Sequence, residues 1–490
     1  MNDRINDGLK ALLFVALVVV CHQMWLSPVT RAEQGIKAVK EDGNRPARQD
    51  EIVDDSFWEI HWLADQAEGF VDLAVDHEGN SHCCFQAAAG HGLKYLYLDD
   101  AGVQRADSIG GGGAGWYASL SLDPAGAPHI AHVSGPDRML RHAYYHDATW
   151  NEDICGTFDG PLDRDHACID LDAGGEAPLV AYTGDAAVLR LAARVDDRWF
   201  GITVDDDSAA GWFPCVRGPV PLLVHAALGR DVLNLTYYRQ GWFRRTLLDG
   251  GVRGWNDLEL DAEGLPWICC RVDEGLRWAA MDGGGEWRGG FVREGGSAGY
   301  YADLAIARNQ RVAVAFLDGA PGVLNFAELV GDSWRVESPN EGRDEIAACA
   351  LALDGIGRPY VAFIEKQRLW LACRKTEQPS LMLAANRAAY QAGDPFELSV
   401  RIDITTSLLF ADLYLMVEAG GIPLYFPGWG KSPKAQRIQL IGRGRHCLDI
   451  LAFDWPNHVK PGVLEVWAVI CRPTTLTPLS PFDHLTIAYN

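Results

Sequence analysis

Eight residues recur at matched places in the chain and could do chemistry together. Phe70, Tyr117, Trp255 and Tyr301 are each followed two residues later by a small polar or acidic residue: Asp72, Ser119, Asp257 and Asp303. Aromatic planes stack on sugar rings and take cations. Carboxylates beside them accept sugar hydroxyl hydrogen bonds or coordinate calcium, which is the one cofactor this set suggests. Asp170 and Glu259 add two more acids nearby in the pattern. His166 stands where the other copies carry an aromatic residue, and it is the candidate for acid–base work. The same residues also admit a structural reading, in which the aromatics wedge between neighbouring sheets and the acids bond backbone N–H groups. Several like charges at one place are costly without a partner, so the acids require an account in either case.

The element that positions these residues is a repeat. Tyr117–Val133 reads as a strand, an Asp-Pro-x-Gly turn and a second strand, and Leu140–Trp150 supplies a third strand, a turn and a Trp-led fourth. The copies include Val71–Phe85, Cys168–Tyr182, Asp257–Arg271, Asp303–Phe316 and Ala350–Phe363, with a worn one at Pro221–Leu248. The landmark ending each first strand falls at Asp76, Asp123, Asp172, near Arg217, then Asp261, Ala307 and Asp354, at intervals of 44–49 residues. Four short strands per unit at a period in the forties predict propeller blades, seven by this count. Leu73, Leu120, Leu171, Leu304 and Leu351 lie at odd offsets before the landmark. Residues two apart share a strand face, so this face is predicted to be core between blades and the even face to line the channel.

Around this repeat the chain divides into four parts. Residues 1–32 contain the apolar run Ala11–Cys21 behind a weakly basic start, which reads as a secretory signal or an uncleaved membrane anchor. Residues 33–51 are polar and read as a linker. Residues 52–377 hold the propeller. Its last unit stops after a third strand, Leu369–Lys375, and Trp58–Trp62 resembles the missing outer strand, so the ring is predicted to close through its N-terminal strand. Residues 381–490 carry alternating strands such as Phe396–Asp403, Ala411–Glu418 and Val463–Ile470, which predict an immunoglobulin-like β-sandwich. The expected fold is thus all-β, a seven-bladed β-propeller plus a C-terminal β-sandwich.

The net charge of -23 lies wholly in the first 379 residues, because residues 380–490 hold nine acids and nine bases. An acidic propeller repels nucleic acid and anionic lipid, so nucleic acid is excluded as a partner and a membrane is met only through the N-terminal segment. Cys83-Cys84 and Cys269-Cys270 occupy the same second-strand place in two units and read as small buried residues. Cys447 with Cys471, and Cys155 with Cys168, could form disulfides in an oxidising compartment, although sequence does not fix pairing. No CxxC or His-rich spacing suggests a zinc site.

Met281–Trp287 (MDGGGEW) and His146–Trp150 (HDATW) fall at the turn between third and fourth strands. There they resemble the Asp-box of sialidase-like propeller repeats. The resemblance implies a folding turn and carries no activity. The Phe-Arg-Ile-Pro arginine motif of sialidases is missing, which argues against that activity. The pattern AYQAGDPFELSV…ADLYLMVEAGGIPLYF over the last fifth of the chain resembles an accessory β-sandwich of exported bacterial proteins, implying a spacer or binding module. The leading reading is an exported, non-catalytic binding or scaffold protein that recognises glycans or protein partners at the channel mouth. It would be periplasmic, cell-surface or secreted. The alternative is a carbohydrate-active hydrolase or polysaccharide lyase using His166 with Tyr117 or Tyr301 and the channel acids.

Overall fold

The computed structural model describes residues 40–41 and 58–489, apart from 77–78, 89–91, 100–101, 159–168, 173, 175–176, 196, 208–209, 219, 239–240, 341–342, 375–378, 388, 405–407, 420–421, 442–443, 457–461, 474–477 and 481. The N-terminal segment 1–32, almost all of the 33–51 linker, His166 and Cys168 lie outside the described residues.

Each repeat folds as a meander of four antiparallel strands. Ala67–Val75, Ser81–Ala87, Gly92–Asp99 and Gly102–Ile109 form one such sheet. The next runs Trp116–Leu122, Pro128–Ser134, Met139–His146 and Thr149–Thr157. Then come sheets opened by Ile169–Asp172, by Trp212–Arg217 and by Val252–Leu260. An eight-stranded sheet consists of two further units, joined by the single pairing of Gly322 with Ile346. Its second unit runs Ile346–Leu353, Pro359–Glu365 and Arg368–Arg374, and its outer strand is Trp58–Asp65, paired antiparallel to Arg368–Arg374. The outer strand therefore comes from the other end of the chain, as its sequence led one to expect.

The recurring aspartate explains the spacing of the first two strands. Asp123 Oδ1 accepts from the N–H groups of Ala125 and Ala127, both at 2.8 Å. Asp261 does the same for Glu263 and Leu265, and Asp354 for Ile356 and Arg358. A short carboxylate that closes its own turn is the local reason for Asp at this place. Asp282 repeats the arrangement with Gly284 and Glu286 at a turn between third and fourth strands.

Leu73, Leu120, Leu171, Leu304 and Leu351 are all buried on the innermost strands, on the face predicted to be core. Each innermost strand contacts the next, and Ile346–Leu353 contacts Ala67–Val75, so the succession returns to its start. Sheets stacked face to face around an axis in this way make a β-propeller.

The C-terminal residues form two sheets over a common core. Ser380–Ala385, Pro395–Ile404 and Gly444–Asp454 make one; Leu408–Ala419, Gly462–Cys471 and Asp483–Tyr489 lie in the other. Leu383, Leu398, Val400 and Ile402 pack with Leu413, Leu415, Val466 and Ile470. Cys447 and Cys471 stand on different sheets as free thiols, and Cys155 is also free, so the Cys447–Cys471 disulfide admitted by the sequence is not formed. This domain meets the propeller at the turns that end the innermost strands. Arg308 donates to the Leu383 carbonyl at 3.1 Å and lies 3.7 Å from Asp483, while Arg358 lies 3.6 Å from Asp403.

Candidate functional site

The innermost strands carry the acids picked out by sequence, and most of their oxygens already have partners. Asp72 Oδ2 accepts from Leu120 N–H on the next sheet at 2.7 Å, and Oδ1 accepts from Leu73 N–H at 2.8 Å. Asp257 repeats this with Leu304 at 2.8 Å and Leu258 at 2.7 Å. Asp303 reaches Leu351 N–H at 2.7 Å. Asp170 reaches Val216 N–H at 2.7 Å, and in the sheet before it Ser119 Oγ accepts from Leu171 N–H at 3.1 Å. Apart from the bonds to Leu73 and Leu258, each link fastens a polar side chain of one sheet to the backbone of its neighbour.

One cation stands among these acids. Arg217 donates to Asp170 at 2.7 Å and to Glu259 at 2.9 Å, and lies 3.7 Å from Asp257. Burial alone would lower the proton affinity of the guanidinium, but the charges of Asp170, Glu259 and Asp257 more than offset it and hold it well above its ordinary value. Burial pushes Asp72 and Glu259 up to about 7. Burial and the charges of Asp257 and Asp72 drive Asp303 well above the carboxylate range. Asp170 is also raised, by burial first. The axis therefore holds protons at neutral pH, which is the physical answer to crowding like charges. Among the described residues no group of three or more His, Cys, Asp or Glu is placed to hold a metal ion.

The aromatic residues begin the same strands, at a bulge. Tyr117, Phe213, Trp255 and Tyr301 have φ of 54°, 49°, 43° and 50°, and the pairing register shifts across each of them. A left-handed residue breaks strict alternation and re-aims its side chain. Phe70, Tyr117 and Trp255 are 7%, 2% and 8% exposed, and Tyr301 is half-buried. Their rings pack across sheets: Phe70 against Tyr117 at 4.8 Å, Phe213 against Trp255 at 5.0 Å, and Trp255 against Tyr301 at 4.1 Å. Gly254 precedes Trp255 with φ of 88°, and a Cβ there would fall inside the Phe213 ring, so only glycine fits. Ala348, the non-aromatic member of this row, is fully buried.

Beside the row picked out by sequence stand three further aromatic residues that the sequence already places next to it. Trp116, Trp212 and Tyr300 directly precede the bulge residues and are half-buried, so they present the aromatic surface that their neighbours do not. Arg271 caps Tyr300, donating to its hydroxyl at 3.0 Å with the guanidinium 3.9 Å from the ring centre. Sequence reasoning missed Arg217, which ends its innermost strand directly after Val216, as Ser121 follows Leu120 and Ala305 follows Leu304. His129, His132 and His142 of the second sheet pack inward, whereas His146 is exposed. His129 and His142 meet at 2.9 Å, and burial pushes His142 down to about 2.

No protein-family model matches the chain, and no curated protein sequence matches it. Among solved structures, a triple mutant of AofleA from Arthrobotrys oligospora is similar over 79% of this chain and 93% of its own, at 11% identity and a TM-score of 0.40. The six-bladed propeller lectin of Aleuria aurantia, described with a fucose recognition mode, is similar over 56% of this chain and 96% of its own, at 12% identity and 0.40. A Trypanosoma rangeli sialidase with the inhibitor DANA is similar over 88% of this chain and 93% of its own, at 11% identity and 0.36. These likenesses are too distant to assign a ligand or an activity.

Proposed function

We propose that this chain is an exported, non-catalytic binding protein. Its seven-bladed propeller is closed by the Trp58–Asp65 strand and followed by an immunoglobulin-like β-sandwich, and it recognises a glycan at the channel mouth. The cycle of contacts among innermost strands supports the ring, and the two C-terminal sheets over one core support the sandwich. The observation that carries the binding reading is the row of half-buried Trp116, Trp212 and Tyr300 at the start of their innermost strands. The C-terminal domain meets the opposite, turn end of those strands through Arg308 and Arg358. Aromatic faces beside a floor of hydrogen-bond acceptors suit the apolar face and hydroxyl rim of a sugar. The axis acids are already spent on backbone N–H groups and on Arg217, which favours a scaffold over a catalytic pair.

The test is binding to a glycan array by the wild type and by Trp116→Ala combined with Trp212→Ala, with thermal melting as the check on folding. The double variant is expected to stay folded and lose glycan binding by about tenfold or more, as stacking losses of about 1–3 kcal/mol imply. Equal binding by both proteins removes the mouth as the site. Turnover of a polysaccharide that vanishes in His166→Ala replaces the binding reading with an enzymatic one.

A further inference from the structure

A second concave site lies away from the axis. The outer strand Arg198–Asp205 of one sheet runs on into Asp206 and Asp207, and Trp242 opens the outer strand Trp242–Asp249 of the next. Between them is a groove of about 570 Å³ lined by these residues with Thr236 and Arg244. That volume falls within the roughly 300–1,000 Å³ usual for small-ligand sites.

The groove has a fixed polar floor. Arg244 donates to both oxygens of Asp205, at 2.8 and 2.7 Å, and to Asp207 at 3.1 Å. Arg230 donates to Asp207 at 2.7 Å. Both aspartates are thus paired across the sheets, Asp205 through Arg244 Nη1 and Asp207 through Arg244 Nη1 and Arg230. Beneath them, buried His225 faces the Ala210 carbonyl through Nδ1, so Nδ1 carries the proton and donates. Nε2 must then accept, and it does so from the Thr236 hydroxyl at 2.9 Å. Thr236 is itself buried, so this bond fixes the floor of the groove. Burial pushes His225 down to about 4, in keeping with this neutral tautomer.

Two residues remain open to a ligand. Asp206 is exposed and has no hydrogen-bond partner among the described residues. The Trp242 indole N–H likewise has none, and its ring is half-buried against Val204 and Tyr238, the latter edge-on at 5.4 Å. The groove therefore combines one aromatic plane, one N–H donor and one exposed carboxylate acceptor. Asp205, Asp206 and Asp207 against Arg230 and Arg244 leave one net negative charge. A ligand that fits has an apolar face, several hydroxyl donors and no anionic group.

We propose that this groove is a saccharide site, separate from the channel mouth, that takes a neutral sugar residue and rejects acidic sugars. It stands or falls independently of the mouth. Titration calorimetry would use a panel of neutral methyl glycosides of mono- and disaccharides, with N-acetylneuraminic acid and glucuronic acid as the acidic set. At least one neutral glycoside is expected to bind at millimolar concentration, and both acids to show no heat. Trp242→Ala and Asp206→Asn should each weaken that binding about tenfold or more, while Trp242→Phe, which keeps a ring, retains part of it. Trp116→Ala with Trp212→Ala should leave in place the part of that binding that Trp242→Ala removes. The groove is refuted if no neutral glycoside binds, if Trp242→Ala binds as well as wild type, or if the acidic sugars bind equally. Binding lost only in the mouth variant refutes the groove and leaves the mouth standing; loss only in the groove variants does the reverse.

Discussion

Two arcs of the propeller axis carry acids and balance their charge in different ways. In one arc Asp170 and Glu259 share the guanidinium of Arg217 at 2.7 and 2.9 Å. In the other, Asp303 and Asp72 face the axis with backbone N–H groups as their partners. Glu259 is raised to about 7, whereas Asp303, with Asp257 and Asp72 near it, is driven well above its ordinary range. One arc is an ion cluster. The other is held by carboxyl groups that are better off protonated. The difference teaches that the position demands an acceptor for the next sheet's N–H, and that charge is a consequence to be managed locally.

The largest effect should come from removing the shared cation. Arg217→Met leaves Asp170 and Glu259 together without a counter-charge, and breaking a buried pair in this way costs about 3–5 kcal/mol. Urea unfolding at neutral pH should show a loss of that size, and the loss should shrink as pH falls below about 7, where Glu259 takes up a proton. A loss that does not vary with pH would show that Arg217 contributes packing, and the two arcs would then not differ in kind.

The sequence revealed the period and the core face because Leu73, Leu120, Leu171, Leu304 and Leu351 obey the two-residue rhythm that burial between sheets imposes. It revealed the closing strand for the same reason: Trp58–Asp65 is patterned as an outer strand with no unit of its own to join. The aromatic row was visible but its surroundings were not. Alternation placed Tyr117, Trp255 and Tyr301 on the channel face, yet each sits in the left-handed region at a bulge, and one extra residue is enough to turn a side chain to the other face. No propensity marks a tryptophan for positive φ; the local signal was the glycine before Trp255, easily taken for a turn. Arg217 escaped because it lies in the worn copy, where register is set by tertiary contacts. The groove beside Trp242 escaped because its residues come from two sheets whose juxtaposition is not local.

A smaller effect separates the arcs by pH. The Asp72 carboxyl rises from 3.8 to about 7 on folding, through burial. The folded state therefore binds the proton more tightly than the unfolded chain, and this group's contribution is greatest at or below 3.8 and is lost as pH rises toward about 7. In Asp72→Asn that part of the decline disappears, while a constant penalty remains for the one N–H its amide nitrogen cannot serve. Urea midpoints measured across this range should therefore converge on, or cross, those of the wild type as pH rises. Parallel curves would mean that Asp72 is ionised throughout and that the uncharged arc is misnamed.

The smallest effect sharpens the comparison at a single atom. Ser119 holds the place of Asp72 in the neighbouring sheet, accepting from Leu171 N–H at 3.1 Å and donating to Asp170 Oδ1 at 3.3 Å. Ser119→Ala strands that N–H in a buried setting, for a loss of about 1–2 kcal/mol with little pH dependence. Ser119→Asp restores the acceptor and adds a charge beside Asp170, whose carboxyl is already raised by burial. If the position asks only for an acceptor, the aspartate variant should match wild type at acid pH, where the new carboxyl is protonated, and fall below it at neutral pH. A variant equally stable at both ends would show that charge is tolerated there, and that the hydroxyl is an accident of the copy.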